Sequence, residues 1–429
     1  MSLFRKTLGA MAAMLLPAAA LAAPAPAING ADTAWLIVAT ALVMIMTPGL
    51  AFFYGGMVRT KHVVTTMFQS FVALGVVGIL WAVIGYSIAF GTGDQYIGDS
   101  VHYMLRGVGM GSENGMTIPT TLFMMFQMMF AIITPALMTG AFAERVRFQA
   151  WILILILWSL AVYSPIAHWL WTPGGFLAQK GAEDFAGGMV VHMSAGFSAL
   201  VCALVLGKRR DFGGAAKPYN LAWVGLGTAL LWFGWFGFNA GSALAANAIS
   251  VQAFANTFLA PAATMLMWML VDHVKDGKPT FVGACVGAVV GLVAITPAAG
   301  YVTSESAIII GLVAGFICNN IARIVKGRYA IDDSLDVFAC HGIGGLVGVL
   351  AVGFLGSAAV SGVNGSINGG DTLLATQATA AVIVALYSMV ATFIILKVVA
   401  LIMPIRVSDA EEKAGLDAGQ HGEIIHHHD

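Results

Sequence analysis

The sequence predicts an all-α polytopic membrane protein: eleven transmembrane helices, arranged as a five-plus-five inverted repeat with one further C-terminal helix. Three observations predict it. Hydrophobic residues make up 59% of the 429-residue chain and charged residues only 10%, with a mean hydropathy of +0.87. Eleven apolar segments approach the ~20 residues that a spanning helix needs. Segments five and ten each hold a lone histidine in the same frame. His192 and His341 each follow an aspartate by eight residues (Asp184, Asp333) and precede a glycine by four (Gly196, Gly345). The net charge of −1 is uninformative alone; the placement of charge is what counts, and nothing in it resembles a basic surface for nucleic acid.

Residues 1–22 read as a cleaved signal peptide. Arg5 and Lys6 form its basic start, 8–16 its apolar core, and Ala20-Leu21-Ala22 its cleavage site. The core is too short to span. A transmembrane domain then covers 23–405 and a cytoplasmic tail 406–429. The expected spans are 35–54, 64–90, 118–142, 151–171, 187–206, 219–241, 249–271, 281–299, 306–321, 337–358 and 373–405.

Positive charge sorts by loop. One side carries fifteen basic residues: Arg59, Lys61, Arg145, Arg147, Lys208, Arg209, Arg210, Lys217, Lys275, Lys278, Arg323, Lys326, Arg328, Arg406 and Lys413. The other carries Arg106 and Lys180. The positive-inside rule puts the mature N-terminus outside and the C-terminus in the cytoplasm. Because five is odd, a second unit of five enters the membrane upside down. Eight residues of helix rise ~12 Å, so both histidines reach the middle of a ~30 Å core from opposite faces.

An ionisable ring at that depth is costly and marks a functional site by default. A neutral imidazole offers one donor and one acceptor, so two in contact line a narrow path for a small polar molecule or relay a proton. Asp184 and Asp333 open their spans. They read equally as helix caps and as fixed negative charges near each mouth. Trp171 ends span four, GWFGFNAGS (234–242) ends span six, and Phe126 and Phe130 lie one turn apart in span three. Most of the rings fit an interfacial belt. Yet Trp171, the phenyl rings and the Ser242 hydroxyl also suit a small ammonium-like cation. His168 reads as structural, and small-residue runs near 283–291 and 342–348 read as helix packing.

Cys202, Cys285, Cys318 and Cys340 all lie in apolar segments without a CxxC pair, so neither a disulfide nor a metal site is expected. No phosphate loop, nucleotide fingerprint, catalytic triad or zinc motif occurs. Two intramembrane histidines can also ligate haem, but nothing else in the sequence supplies a cofactor pocket. No cofactor and no enzymatic activity are expected.

Several stretches together are specific: TPGLAFFYGGMVR (47–59), GAFAERVRF (140–148), DFAGGMVVH (184–192), GWFGFNAGS (234–242), GKPTFVGACVGAVVGLVAITPAAGYV (277–302), DVFACHGIGG (336–345) and EEKAGLDAGQHGE (411–423). In these the chain resembles the ammonium transporter, methylammonium permease and Rh family, above all its bacterial ammonia channels. The resemblance implies a homotrimer in the cell inner membrane, each subunit with its own apolar pore. It implies that Trp171, Phe126, Phe130 and Ser242 recruit ammonium, and that Phe130 and Phe238 stack as an outer gate. Asp184 supports the site electrostatically, and His192 and His341 are the twin pore histidines. Ammonium loses its proton and ammonia crosses, with the proton returned outside or passed along the histidines. A PII-family (GlnK-like) signalling protein docks on the basic inner loops and the tail after Ile405. A sensor that binds the same ion without flux, and an Rh-type gas channel, are the alternatives.

Overall fold

The computed structural model describes residues 27–113, 115–214 and 218–425. The expected signal peptide and the terminal His426-His427-His428 lie outside them. Eleven principal helices follow in order: α1 Gly30–Met57, α2 Thr60–Phe90, α3 Thr120–Ala141, α4 Phe148–Trp171, α5 Gly188–Leu206, α6 Leu221–Gly241, α7 Ala248–Asp276, α8 Phe281–Ile295, α9 Ser304–Gly327, α10 Phe338–Leu355 and α11 Leu373–Ile402. Ten are long and apolar enough to cross a membrane; among the described residues there is no sheet, only the isolated bridge Val146–Arg406.

Polar residues at the ends of the apolar runs set the helix starts. Asn29, Asn220, Asn247 and Thr280 each accept a backbone N–H of the first turn, of α1, α6, α7 and α8, satisfying donors that a helix leaves bare. The expected span 281–299 stops four residues early. Pro297 has no N–H to continue the ladder, and the chain turns through Ala298 N–H to Ile295 O at 2.9 Å. The fifteen residues of α8 rise only about 22 Å.

Glycine lets the helices approach. On α6, Gly227 would bring a Cβ to 2.3 Å from the Phe53 backbone, and Gly234 to 2.2 Å from Met46, both on α1. On α8, Gly283, Gly287 and Gly291 face Trp268, Met265 and Pro261 of α7. This is close packing of the kind lipid-embedded helices use.

One end of the bundle is an ionic cap. Glu144, buried between α3 and α4, pairs with Arg59 at 2.6 Å and Arg209 at 3.1 Å; Arg209 also meets Asp332 at 2.9 Å. Burial alone raises the Glu144 carboxyl, but the hydrogen bond from Arg59 and the charge of Arg209 more than offset this and hold it below the ordinary carboxylate value. Arg145 is fully buried and donates to Ser334 Oγ and three backbone carbonyls. The tail folds back onto this end. A short helix, α12 (Asp409–Ala414), starts in a Ser408–Glu411 capping box. Glu412 meets Arg406 at 2.7 Å. Asp417 takes the N–H groups of Val64 and Thr65 at 2.9 and 2.8 Å.

Candidate pore and outer vestibule

The aspartates place the histidines. Asp184 accepts four backbone N–H groups at the start of α5: Gly187 at 3.1 Å, Gly188 at 2.5 Å, Met189 at 2.8 Å and Val190 at 3.0 Å. Asp333 takes Val337 N–H at 3.0 Å and Phe338 N–H at 2.7 Å ahead of α10. Of the two roles open to these residues, capping is the one their contacts express. Behind each cap the helix widens into one π-type turn, Gly188–Met193 and Phe338–Ile343, and the histidine lies within it. Such turns recur at functional sites.

The matched glycines then interlock. A Cβ on Gly196 would lie 2.0 Å from Gly342 N and 2.9 Å from His341 C. A Cβ on Gly345 would lie 2.9 Å from Gly188 O and 3.1 Å from His192 Cβ. Each glycine therefore seats against the backbone beside the other histidine.

The rings meet. His192 Nδ1 and His341 Nδ1 are 3.2 Å apart, both buried, with centroids 5.3 Å apart. One Nδ1–H donates to the other's lone pair, which two neutral rings can do. His192 Nε2 has no hydrogen-bond partner among the described residues. Trp235 stacks on His192 at 5.4 Å and 24°, its indole fixed by a 2.8 Å bond to Thr296 Oγ1. Met46, Leu50, Ile133, Leu137, Leu231 and Val289 complete a cavity of about 10 Å³ around the rings, about one water-sized guest.

Phe130 and Phe238 close this cavity toward Trp171, with centroids 4.1 Å apart at 31°. Phe238 is 6.1 Å from the His192 ring. Beyond the phenyl pair lies a second cavity of about 220 Å³, lined by Phe90, Met116, Phe123, Gln127, Phe130, Trp171, Thr172, Pro173, Phe185, Ser242 and Leu244. Among the described residues no formally charged side chain lines it. Trp171 donates its N–H to Asp184 O at 2.9 Å, and Ser242 Oγ donates to Phe238 O at 2.8 Å, leaving its lone pairs free to accept.

Of the four residues expected at the outer mouth, the structure brings Trp171, Phe130 and Ser242 to this cavity and leaves Phe126 out. Phe126 does not line the cavity; it is fully buried behind Phe130, ring centroids 5.0 Å apart, against Gly241. Phe123, one turn earlier on α3, lines it instead. Sequence reasoning also passed over Gln127, a polar residue set among phenylalanines, which was the available signal. Nor does the Asp184 carboxylate line it; its oxygens are engaged by the α5 cap. His168 directs both ring nitrogens at backbone carbonyls, Ala89 O at 3.0 Å and Asp94 O at 2.7 Å.

The profile of the Ammonium Transporter Family matches residues 34–425. An ammonium transporter of Bacillus subtilis is 47% identical over 395 residues, covering 91% of this chain and 97% of that one. One from Aquifex aeolicus is 46% identical over 396 residues, covering 91% and 92%. Among solved structures, Candida albicans Mep2 superposes with a TM-score of 0.84 at 38% identity, covering 90% of this chain and 88% of that one. A Sensor Amt Protein superposes at 0.85 with 26% identity, covering 91% and 98%.

Proposed function

The chain belongs to the ammonium transporter family, a family of transporters rather than enzymes, and from that premise we propose that it recruits ammonium outside, strips a proton and conducts ammonia. An ammonium ion entering an apolar pore loses ~20 kcal/mol of hydration in the idealised Born limit. Cation–π contacts return ~2 kcal/mol when desolvated. That difference allows capture at a ring-lined mouth and forbids passage of the ion. Trp171, Phe123 and Phe130 attract the cation, and Ser242 accepts an N–H. Deprotonation occurs above or at the Phe130–Phe238 pair. Ammonia then passes His192 and His341, and the proton returns outside or follows the paired imidazoles. Potassium has no proton to shed and is excluded.

The observation that carries this reading is the imidazole pair, 3.2 Å apart in an apolar cavity behind a close, tilted pair of phenyl rings. The test is ammonium-evoked current together with internal pH change in proteoliposomes, for the unsubstituted chain and for His192→Ala with His341→Ala. Current would indicate net charge movement; alkalinisation alone would indicate neutral ammonia. Normal, ammonium-selective transport by the double variant sinks the role given to the histidines. Ligand binding without flux would mark a sensor instead.

The remaining architecture follows the same reading. Arg323 near the end of α9 pairs with Asp272 and Asp276 at the end of α7, at 2.8 and 2.5 Å. These two helices therefore finish on one side, and short α8 has to cross between them, which supports eleven spans. The subunit forms a homotrimer in the cell inner membrane after signal-peptide removal, with its mature N-terminus outside and its basic end and tail in the cytoplasm. A PII-family protein docks on that end. Light scattering on the solubilised protein tests the trimer.

A further inference from the structure

We propose that the side-chain amide of Gln127 is a further hydrogen-bonding group of the outer vestibule, its carbonyl oxygen accepting an N–H of the arriving ammonium. The inference rests on the ammonium reading above. Gln127 lies on α3 beside Phe126, lines the outer cavity and is 8% exposed. Its Oε1 accepts no hydrogen bond among the described residues. A buried carbonyl oxygen without a donor has given up water for nothing, which native structures rarely tolerate.

Among the described residues, the side chains of the cavity wall do not supply that donor. The Trp171 N–H is spent on Asp184 O, the Ser242 hydroxyl on Phe238 O, and the Thr172 hydroxyl on Ala89 O. The other side chains of the wall carry phenyl, thioether, aliphatic or pyrrolidine groups. A donor therefore comes from what fills the cavity, water when it is empty of guest and an N–H when ammonium displaces that water. The terminal amide torsion is broad and roughly two-fold, so the oxygen turns toward the cavity at small cost.

The chemistry selects the guest. Ring faces attract any small monovalent cation without direction. Two oxygen acceptors, Ser242 Oγ and Gln127 Oε1, add direction and match an ion that carries several N–H bonds. An amide oxygen is far too weak a base to keep the proton. Gln127 therefore holds and orients the ion, and deprotonation lies elsewhere.

The experiment uses the full-length protein in proteoliposomes with ammonium chloride as probe. Gln127→Leu keeps the bulk and removes the acceptor. It is expected to raise the half-saturating concentration about tenfold, the worth of one hydrogen bond to a charged partner, and by more than it lowers the maximal rate. Gln127→Glu keeps acceptor oxygens and is expected to restore half-saturation to within about threefold of the unsubstituted protein, or below it. An unchanged half-saturation in Gln127→Leu overturns the inference. So does an equal rise in both variants, which reports lost packing. Absence of ammonium flux in the unsubstituted chain overturns the underlying reading as well, whereas normal flux with an insensitive position 127 overturns this inference alone.

Discussion

Gly196→Ala probes the joint that brings the histidines together. The new methyl would start 2.0 Å from Gly342 N, and ordinary contact begins at 3.4 Å. The neighbouring atom is backbone, so no side chain can swing aside. The two helices have to part by about 1.4 Å, taking His341 with them. The 3.2 Å imidazole contact then stretches beyond the ~3.2 Å reach of a good N–H bond. Overpacking of this kind costs about 1–3 kcal/mol. The control is Gly75→Ala on the exposed face of α2, where a Cβ meets nothing within 4 Å; there alanine's better helix propensity gains up to ~1 kcal/mol. Thermal unfolding of the solubilised protein and ammonium flux in proteoliposomes are the two readouts. Gly196→Ala is expected to melt several degrees lower and to lose most of its flux, and Gly75→Ala to do neither. A Gly196→Ala protein as stable and conductive as Gly75→Ala would refute the claim that this glycine sets the histidine spacing.

Three further outcomes follow from the same geometry. Trp171→Leu removes the indole face from the vestibule and is expected to raise the half-saturating ammonium concentration two- to thirtyfold, the range of ~0.5–2 kcal/mol for a cation–π contact; an unshifted flux titration would contradict this. Asp184→Ala bares four N–H groups and should lose about 3 kcal/mol, while Asp184→Asn, which keeps one acceptor, should lose about half as much; equal losses in chemical denaturation would show that charge rather than capping matters. Glu144, held below the ordinary ~4.3 of a glutamate by Arg59 and Arg209 against the pull of burial, contributes stability that is present above that value and lost as pH falls through the folded-state value. Glu144→Gln should therefore cost about 3 kcal/mol at pH 7 and flatten the loss of melting temperature below about pH 4; a slope identical to that of the unsubstituted protein would contradict the assignment.

Most of the bundle was legible because lipid allows little choice: an apolar run long enough to span has to satisfy its backbone internally, as a helix. The Asp–x7–His frames were legible for a similar reason, since a buried imidazole stands out against leucine and glycine. Three features were hidden. The end of α8 depends on a turn around Pro297 inside an otherwise apolar stretch. The exchange of Phe126 for Phe123 is a matter of helix rotation, and the run of phenylalanines and methionines over 123–126 leaves that rotation undefined by pattern. The tail is expected in the cytoplasm with no contact assigned to it, yet Asp417 reaches the N-terminus of α2 across about 350 residues of sequence, a contact no local pattern encodes.

The widened turns in α5 and α10 have a consequence of their own. Each stores one residue more than regular winding would use, so each can in principle surrender one. Excising Val190 would let α5 rewind, and a single step of regular helix rotates a side chain by about 100°. The imidazole would then face a packed neighbour rather than its twin, while everything downstream of Ser194 kept its seat. The direction of the ring is thus written in a local surplus of backbone, separately from the rest of the helix that carries it.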